Sequence, residues 1–218
     1  MFRNHFHTRN PRCMNCRLHF LFNNPHARLP GPHPERFSDV TLRRLAVLLA
    51  ALLGAGAAHA STDREALHAL RIGAPEAPAI DGVLDEAVWQ RAPLYDDFHK
   101  HLPRDGQPAP SGLRTTVQLL VDDGALVFGI RAWDPAPERR RGQLARRDKV
   151  GPDQDFIGIW IDPAGHGRSA QFVRINTLGV VSDGMHRADD DESDLGPDFP
   201  IDAAVRLLPD GYSMEVRW

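Results

Sequence analysis

The stretch LRTTVQLLVDDGALVFGIRAW, residues 113–133, is the clearest indication of fold class in this chain. Apolar and polar residues alternate on both sides of Asp122-Asp123-Gly124, which is the period of a β-strand with one buried face. Asp and Gly in the middle are typical of a turn. The stretch therefore predicts a β-hairpin whose strands turn Leu119 and Phe128 toward a core.

Further strands are predicted downstream, at spacings and with turns that suit an all-β fold. They cover residues 156–161, 169–176, 180–183, 202–208 and 212–218. We predict an antiparallel β-sandwich of the jelly-roll or immunoglobulin-like type. One short helix is predicted near residues 84–91, where Leu84 and Val88 share a helical face.

The N-terminal part resembles a targeting signal rather than a domain. Residues 41–60 combine a basic start, an apolar run and the small residues Ala58 and Ala60, which predicts a signal peptide cleaved after Ala60. The alternative, a membrane span, needs roughly 20 apolar residues, and the run is shorter. We therefore expect export to the periplasm or cell surface.

The segment before this signal is predicted to be a disordered, non-native extension, residues 1–39, with Val40 as the true start. Cys13 and Cys16 form a lone CxxC motif in this extension, so we expect no redox or zinc site from them. The mature domain, residues 61–218, has no cysteine and must be held by its core alone. Its last predicted strand stops at Trp218, so we expect that the C-terminal part of the domain is missing.

Charge excludes one class of partner. Residues 61–218 carry 18 basic and 27 acidic side chains, a net charge of −9. Nucleic-acid binding needs a positive surface, so no nucleic-acid partner is predicted. The chain also lacks GxSxG, HExxH and phosphate-loop motifs, and no carboxylate pair marks a glycosidase, so no catalytic residue is predicted.

Five motifs along residues 70–218 are similar in type and order to family 9-like carbohydrate-binding modules. They are Ile80-Asp81-Gly82-x-Leu84-Asp85-Glu86-x-x-Trp89, residues 121–128, residues 154–162, Gln171-Phe172-x-Arg174-Ile175-Asn176, and Gly211-Tyr212-x-Met214-Glu215-Val216. The resemblance implies a sandwich that binds polysaccharide or oligosaccharide. Its nearest subgroup precedes a large C-terminal region predicted to be a membrane β-barrel, which would place the module at the outer membrane.

The resemblance also implies site residues. Arg174 and Asn176 match polar positions on the sugar-facing strand, and Asp155 matches a frequent acidic residue. Family members clamp a sugar between two Trp rings, but one clamp position falls at Gly151-Pro152-Asp153, and a family Glu falls at Gly158.

Two of these candidates have alternatives. Trp133 ends a predicted strand before Asp134 and is predicted as the aromatic platform for a sugar, the alternative being a rim residue that caps the core. The Arg174 guanidinium is predicted to donate paired hydrogen bonds to sugar hydroxyls, the alternative being an ion pair with Asp155 or Asp183.

Two irregular segments, residues 103–112 and 185–200, are long enough to be functional loops. Within the second, Asp189, Asp190 and Asp191 could bind Ca²⁺ through carboxylate oxygens. A solvated acidic loop is the alternative.

Together these features predict an exported carbohydrate-binding module that positions a larger protein on glycan during carbohydrate catabolism. One alternative is an accessory part of an O-glycosyl hydrolase. The other is a structural sandwich that docks on an outer-membrane barrel and has no sugar site.

Overall fold

The computed structural model describes residues 2–7, 17–23, 67–100, 107–189 and 192–218. All of them belong to one compact unit, Met1–Ala27 with Glu65–Trp218, and the second unit, Arg28–Arg64, lies outside the described residues. The proposed signal peptide and both cysteines also lie outside, so these stay predictions. No helix in the described part is long and apolar enough to cross a membrane.

Twelve strands are present among the described residues. They are β1 (Phe2–His7), β2 (Arg17–Asn23), β3 (Leu70–Arg71), β4 (His99–Lys100), β5 (Thr115–Val121), β6 (Leu126–Trp133), β7 (Phe156–Asp162), β8 (Ser169–Asn176), β9 (Val181–Arg187), β10 (Glu192–Asp194), β11 (Asp202–Leu208) and β12 (Gly211–Arg217). Short 3-10 turns occur at Ala74–Glu76, Ser111–Leu113 and Pro137–Arg139.

The described strands form two sheets. One has seven strands in the order β10-β9-β8-β7-β2-β1-β4, and the other has five in the order β11-β12-β6-β5-β3. All pairs are antiparallel except the short β3–β5 pair. Alternate residues of the two sheets meet in one core, for example Phe128 and Met214 with Ile159 and Val173. The predicted all-β sandwich is confirmed.

The predicted hairpin forms β5 and β6, with Leu119 opposite Phe128. At its turn, one carboxylate oxygen of Asp122 accepts hydrogen bonds from the N–H groups of Gly124 at 2.8 Å and Ala125 at 2.7 Å. Arg217 lies 2.6 Å from the other oxygen. The Gly124 hydrogen bond, with a smaller contribution from Arg217, lowers the pKa of Asp122 against the opposing effect of burial.

This lowered pKa predicts a loss of stability in acid. Because the pKa of Asp122 is lower in the folded than in the unfolded protein, the ionised carboxylate stabilises the fold at any pH above the unfolded pKa of about 4. This contribution is lost as the pH falls through the pKa of the folded protein. Asp122→Asn keeps the turn acceptor but removes the charge. We expect denaturant unfolding at pH 5 and pH 3 to show a larger stability loss for the wild type than for the variant. Equal losses would contradict this assignment.

The segment predicted as a helix, residues 84–91, forms a series of turns instead. Its backbone bonds are short-range, from Trp89 N–H to the Glu86 carbonyl and from Arg91 and Ala92 N–H to the Val88 carbonyl. The helix prediction is therefore wrong. An isolated helix of two turns is unfavourable, and here the side chains of Val88 and Trp89 are drawn onto the outer face of the five-stranded sheet, where they pack with Leu120 and Val127.

Glu215 anchors this segment to β12. Its carboxylate accepts hydrogen bonds from the N–H groups of Asp81 and Gly82, each at 3.0 Å, and from the Trp89 indole at 3.0 Å. Glu215 is fully buried, and this burial raises its pKa. The Asp81-Gly82 motif is thus a docking point for the N-terminal segment on the sheet.

The N-terminal strands differ from the sequence expectation. Residues 1–39 were expected to lack structure, whereas β2 pairs with β7, placing Phe22 opposite Ile157, and β1 pairs with β2. Leu18, Phe20 and Phe22 alternate with other residues at the strand period. That short pattern explains why β2 forms a strand. Whether the extension belongs to the native protein stays a prediction.

Candidate functional site

The connection from β6 to β7 carries an arginine-rich segment, residues 139–149, which we call the basic loop. Arg140 holds its first end: its guanidinium donates to the carbonyls of Pro137, at 2.8 Å, and Gly211. The loop is therefore tied to the turn between β11 and β12.

Asp155 holds the next residue of the loop. Its side chain is buried, and its carboxylate accepts a hydrogen bond from Arg141 N–H at 2.8 Å. The Asp155 N–H donates to the Arg141 carbonyl at 2.7 Å. The carboxylate also lies near Tyr212, whose pKa is raised first by burial and then by Asp155 and Asp134. Asp155 thus positions the loop from beneath and does not face solvent.

Asn176 is also a structural residue in this arrangement. It is fully buried, and its amide nitrogen donates to the Gln143 carbonyl at 2.9 Å and the Gln154 side chain at 2.7 Å. Its amide oxygen accepts from Leu178 N–H at 3.0 Å and Val180 N–H at 2.9 Å. The structure therefore brings Asp155 and Asn176 together under the basic loop, away from any ligand in solvent.

The far end of the loop is fixed along the edge of β9. Asp148 N–H donates to the Val181 carbonyl at 2.9 Å, and Val150 N–H donates to the Ser182 hydroxyl at 2.9 Å. The Gln154 side chain donates to the Lys149 carbonyl at 2.9 Å. Because both ends are fixed, the side chains between them are presented from a defined backbone.

Arg147 extends from this loop into an open groove. Its guanidinium pairs with the fully buried Asp183 at 2.5 Å and with Asp198 at 3.2 Å, and it donates to the Phe199 carbonyl at 3.1 Å. Asp183 also accepts a hydrogen bond from Phe199 N–H at 2.6 Å. A charge-assisted pair with a buried carboxylate fixes the orientation of the guanidinium.

The groove has a volume of about 640 Å³. It is lined by Arg147, Asp198, Phe199, Pro200, Ile201 and Asp202. The Phe199 ring is partly exposed and lies 6.1 Å from Trp218, tilted by 43°. The groove thus combines an apolar ring, two exposed carboxylates and an oriented guanidinium, which can accept and donate hydrogen bonds to a hydroxylated ligand with an apolar face.

Trp133 lies at the end of β6 opposite Gly211, with its ring partly exposed. The guanidinium groups of Arg131 and Arg114 lie 4.5 Å and 5.2 Å from the ring centre. Arg131 is held by Asp210 at 2.5 Å. The ring is therefore engaged by two arginines of the same chain, and its role as a sugar platform stays a prediction.

Arg174 lies on the outer face of the seven-stranded sheet, among aromatic rings. Its guanidinium is 4.9 Å from the centre of Phe172, 5.7 Å from Trp160 and 5.9 Å from Phe156. Asp183, one of the two predicted ion-pair partners of Arg174, pairs with Arg147 instead. Arg174 is half-buried and stands apart from Trp133, which belongs to the other sheet.

Gly158 lies opposite Arg174, at the position where family modules have a Glu. The Trp160 ring covers it, and a Cβ at Gly158 would overlap ring atoms. A larger side chain would have to displace Trp160, which stacks on Phe172 with ring centres 6.0 Å apart. The absence of the family Glu thus has a packing reason.

The proposed calcium site falls largely outside the described residues. Asp189 is exposed in a turn, and Asp190 and Asp191 are not described. In the described ranges, no group of three or more His, Cys, Asp or Glu side chains could hold a metal ion.

Sequence reasoning missed Arg147 and Phe199. The second irregular segment, 185–200, does contain Phe199, so loop length was a usable signal for one wall of the groove. Nothing in the sequence linked that segment to Arg147, because their contact depends on Asp183 lying at the edge of β9.

No protein-family model matches the chain, and no curated protein matches it. Among the similar solved structures are two of a carbohydrate binding module family 9 from Caldicellulosiruptor kristjanssonii. The complex with cellotriose is 20% identical, covering 68% of this chain and 65% of that chain, with a TM-score of 0.45. The complex with glucose is 22% identical, covering 67% of each chain, also with a TM-score of 0.45.

The match therefore spans less than two thirds of the chain in the first of these structures. The sandwich assignment rests on the two facing sheets described above and not on this similarity.

Proposed function

We propose that this chain is a carbohydrate-binding module whose saccharide binds in the groove between the basic loop and residues 198–202. The observation that carries this proposal is the groove itself, where a partly exposed Phe199 ring lies beside an oriented Arg147 and exposed carboxylates. A pyranose offers one apolar C–H face and a rim of hydroxyls, so it needs this combination of a flat ring and forked polar groups.

The size and openness of the groove fit a saccharide. Small-ligand sites are commonly about 300–1,000 Å³, and the groove falls within that range at about 640 Å³. The groove is open to solvent, so a saccharide can reach Phe199 and Arg147 directly. The five-motif resemblance to family 9-like modules supports the same class of ligand.

The larger role remains part of the proposal. The signal-peptide pattern supports export to the periplasm or cell surface. A module without a catalytic constellation would then position a larger protein on glycan during carbohydrate catabolism, and a fused barrel would place it at the outer membrane.

Phe199→Ala is the direct test of the groove. Losing the ring removes the apolar contact with the sugar face, so we expect at least tenfold weaker binding, or about 1.4 kcal/mol. The measurement is isothermal titration of the 218-residue chain with soluble neutral oligosaccharides, cellotriose among them. Leu207→Ala, which trims an exposed apolar side chain on β11, is the matched control and should bind like the wild type.

Trp133→Ala distinguishes the two candidate surfaces. We expect binding to survive this change if the groove is the site. Loss of binding in Trp133→Ala together with unchanged binding in Phe199→Ala would overturn the groove and restore the Trp133 platform. Release of reducing sugar by the wild type would instead indicate a hydrolase.

A further inference from the structure

Several basic side chains of the basic loop form no ion pair within the described residues. It contains Arg139, Arg140, Arg141, Arg146, Arg147 and Lys149 within eleven residues. Arg140 and Arg147 are engaged in the contacts described above, and Arg139 lies 3.8 Å from Glu138. The side chains of Arg141, Arg146 and Lys149 are exposed and form no ion pair within the described part of the chain.

This charge contrasts with its surroundings. Residues 61–218 carry a net charge of −9, whereas the loop has six basic residues and one acid, Asp148. The loop is also preorganised, because Asp155, Asn176 and Ser182 hold its backbone through buried groups. A backbone held in this way presents its cationic side chains to an anion without the entropy cost of ordering a flexible segment.

The loop and the groove share Arg147. Arg146 and Lys149 flank Arg147 in the sequence, so a saccharide chain that lies beside Phe199 and Arg147 and continues past the groove runs toward this part of the loop. Leu144, 86% exposed in the same loop, offers an apolar contact between these cations and Arg141. The groove and the exposed cations are thus linked through one loop, which contributes Arg147 to the groove.

We propose that the glycan recognised by this module is anionic, carrying uronate carboxylates or sulfate esters that contact Arg141, Arg146 and Lys149. This inference rests on the proposed function, since the groove binds the sugar ring and the loop selects its charge. Arginine pairs with both carboxylate and sulfate groups through two parallel N–H donors, whereas Lys149 acts as a point charge.

Two other polyanions fit less well. Nucleic acid carries a charge on every phosphate and binds over a wide positive surface, whereas this loop is one short basic segment. An anionic membrane binds proteins through several buried apolar side chains or through roughly four to eight basic ones. In the described residues this loop offers three exposed cations without an ion pair and one apolar contact, Leu144. A free glycan chain is the polyanion that also fills the groove.

The test compares two variants with equal loss of charge. Arg146→Gln/Lys149→Gln alters the loop, and Arg168→Gln/Arg206→Gln removes two exposed arginines elsewhere. The probes are polygalacturonate, dextran sulfate and neutral dextran, titrated with the full chain. We expect the loop variant to bind one polyanion about tenfold more weakly than the wild type, and the control variant to bind it like the wild type. Wild-type affinity for that polyanion should fall as salt rises from about 50 to 300 mM.

Three results would overturn this inference: no binding of either polyanion by the wild type, equal weakening in both variants, or wild-type binding to phosphatidylglycerol vesicles in preference to either polyanion. Failure of the proposed function can be distinguished from failure of this inference, because the proposed function is tested by neutral oligosaccharide binding to the wild type and to Phe199→Ala.

Discussion

Glu215→Ala is expected to lower the free energy of unfolding by roughly 3 to 5 kcal/mol. The change leaves three donors without their acceptor: the N–H groups of Asp81 and Gly82 and the Trp89 indole. Each unsatisfied buried donor costs about 1–3 kcal/mol, and water reaching Asp81, which is exposed, reduces the sum.

The loss should spread beyond the hydrogen bonds. Trp89 is 3% exposed and packs with Val88, Leu120 and Val127 on the outer face of the five-stranded sheet. Without Glu215 the N-terminal segment loses three of its hydrogen bonds to β12 and keeps the one from the Ser213 hydroxyl to the Gly82 carbonyl, so this second cluster is expected to loosen. Trp89 fluorescence should then shift to longer wavelength before the main unfolding transition.

Denaturant unfolding followed by circular dichroism measures the effect, with Asp85→Ala as the control, because Asp85 is exposed in the same segment. The control should change stability by less than about 0.5 kcal/mol.

Burial raises the pKa of Glu215, so the stabilising contribution of Glu215 is fullest below its unfolded pKa of about 4.3 and declines as the pH rises. The difference between wild type and Glu215→Ala should therefore be smaller at pH 7 than at pH 4. An equally small loss in both variants would show that the anchor contributes little.

Gly211→Ala is expected to lower the free energy of unfolding by roughly 2 to 4 kcal/mol, the second largest effect. Gly211 begins β12 with a φ of +142°, a conformation that side-chain-bearing residues rarely adopt. A Cβ there would also overlap the backbone carbonyl oxygen of Ala132 on β6. Neither strain can be relieved by a rotamer change, since both involve the backbone.

Gly124→Ala is the matched control for this glycine. Gly124 has no positive φ, and a Cβ would find no atom within 4 Å. Replacement there reduces the entropy of the unfolded chain and should be neutral or stabilising by up to about 1 kcal/mol. Thermal unfolding of both variants tests the pair, and a Gly211→Ala protein as stable as Gly124→Ala would refute the strain argument.

The Gly211 variant has a second expected consequence. The Gly211 carbonyl accepts a hydrogen bond from Arg140 at the start of the basic loop, and Gly211 pairs with Trp133. A shift at the start of β12 should therefore loosen the loop. Amide hydrogen exchange at residues 140–143 should increase in Gly211→Ala and stay unchanged in Gly124→Ala.

Strand pattern carried most of the fold prediction. The hairpin around Asp122-Gly124, the apolar run of β7 and the last pair β11–β12 all formed as predicted, because alternation at period two reports directly which side chains face a core. The helix prediction for residues 84–91 was wrong because it used only the local pattern. Glu215, more than 120 positions away, binds the same segment and holds it in another conformation.

The predicted site residues show the same limit. Arg174 and Asn176 are polar residues on β8 and Asp155 directly precedes β7, and the sequence pattern could not show whether these side chains point to solvent. In the fold, Asn176 makes four hydrogen bonds inside the protein and Arg174 lies among three aromatic rings.

From residue order alone, this protein could be identified as a two-sheet sandwich, since burial of alternate side chains is a local property of each strand. The groove could not be found that way. Arg147, Asp183 and Phe199 meet there from three separate segments, and contact between distant segments depends on how the sheets pack and on which buried carboxylate needs a cation. Sequence spacing carries no record of that packing.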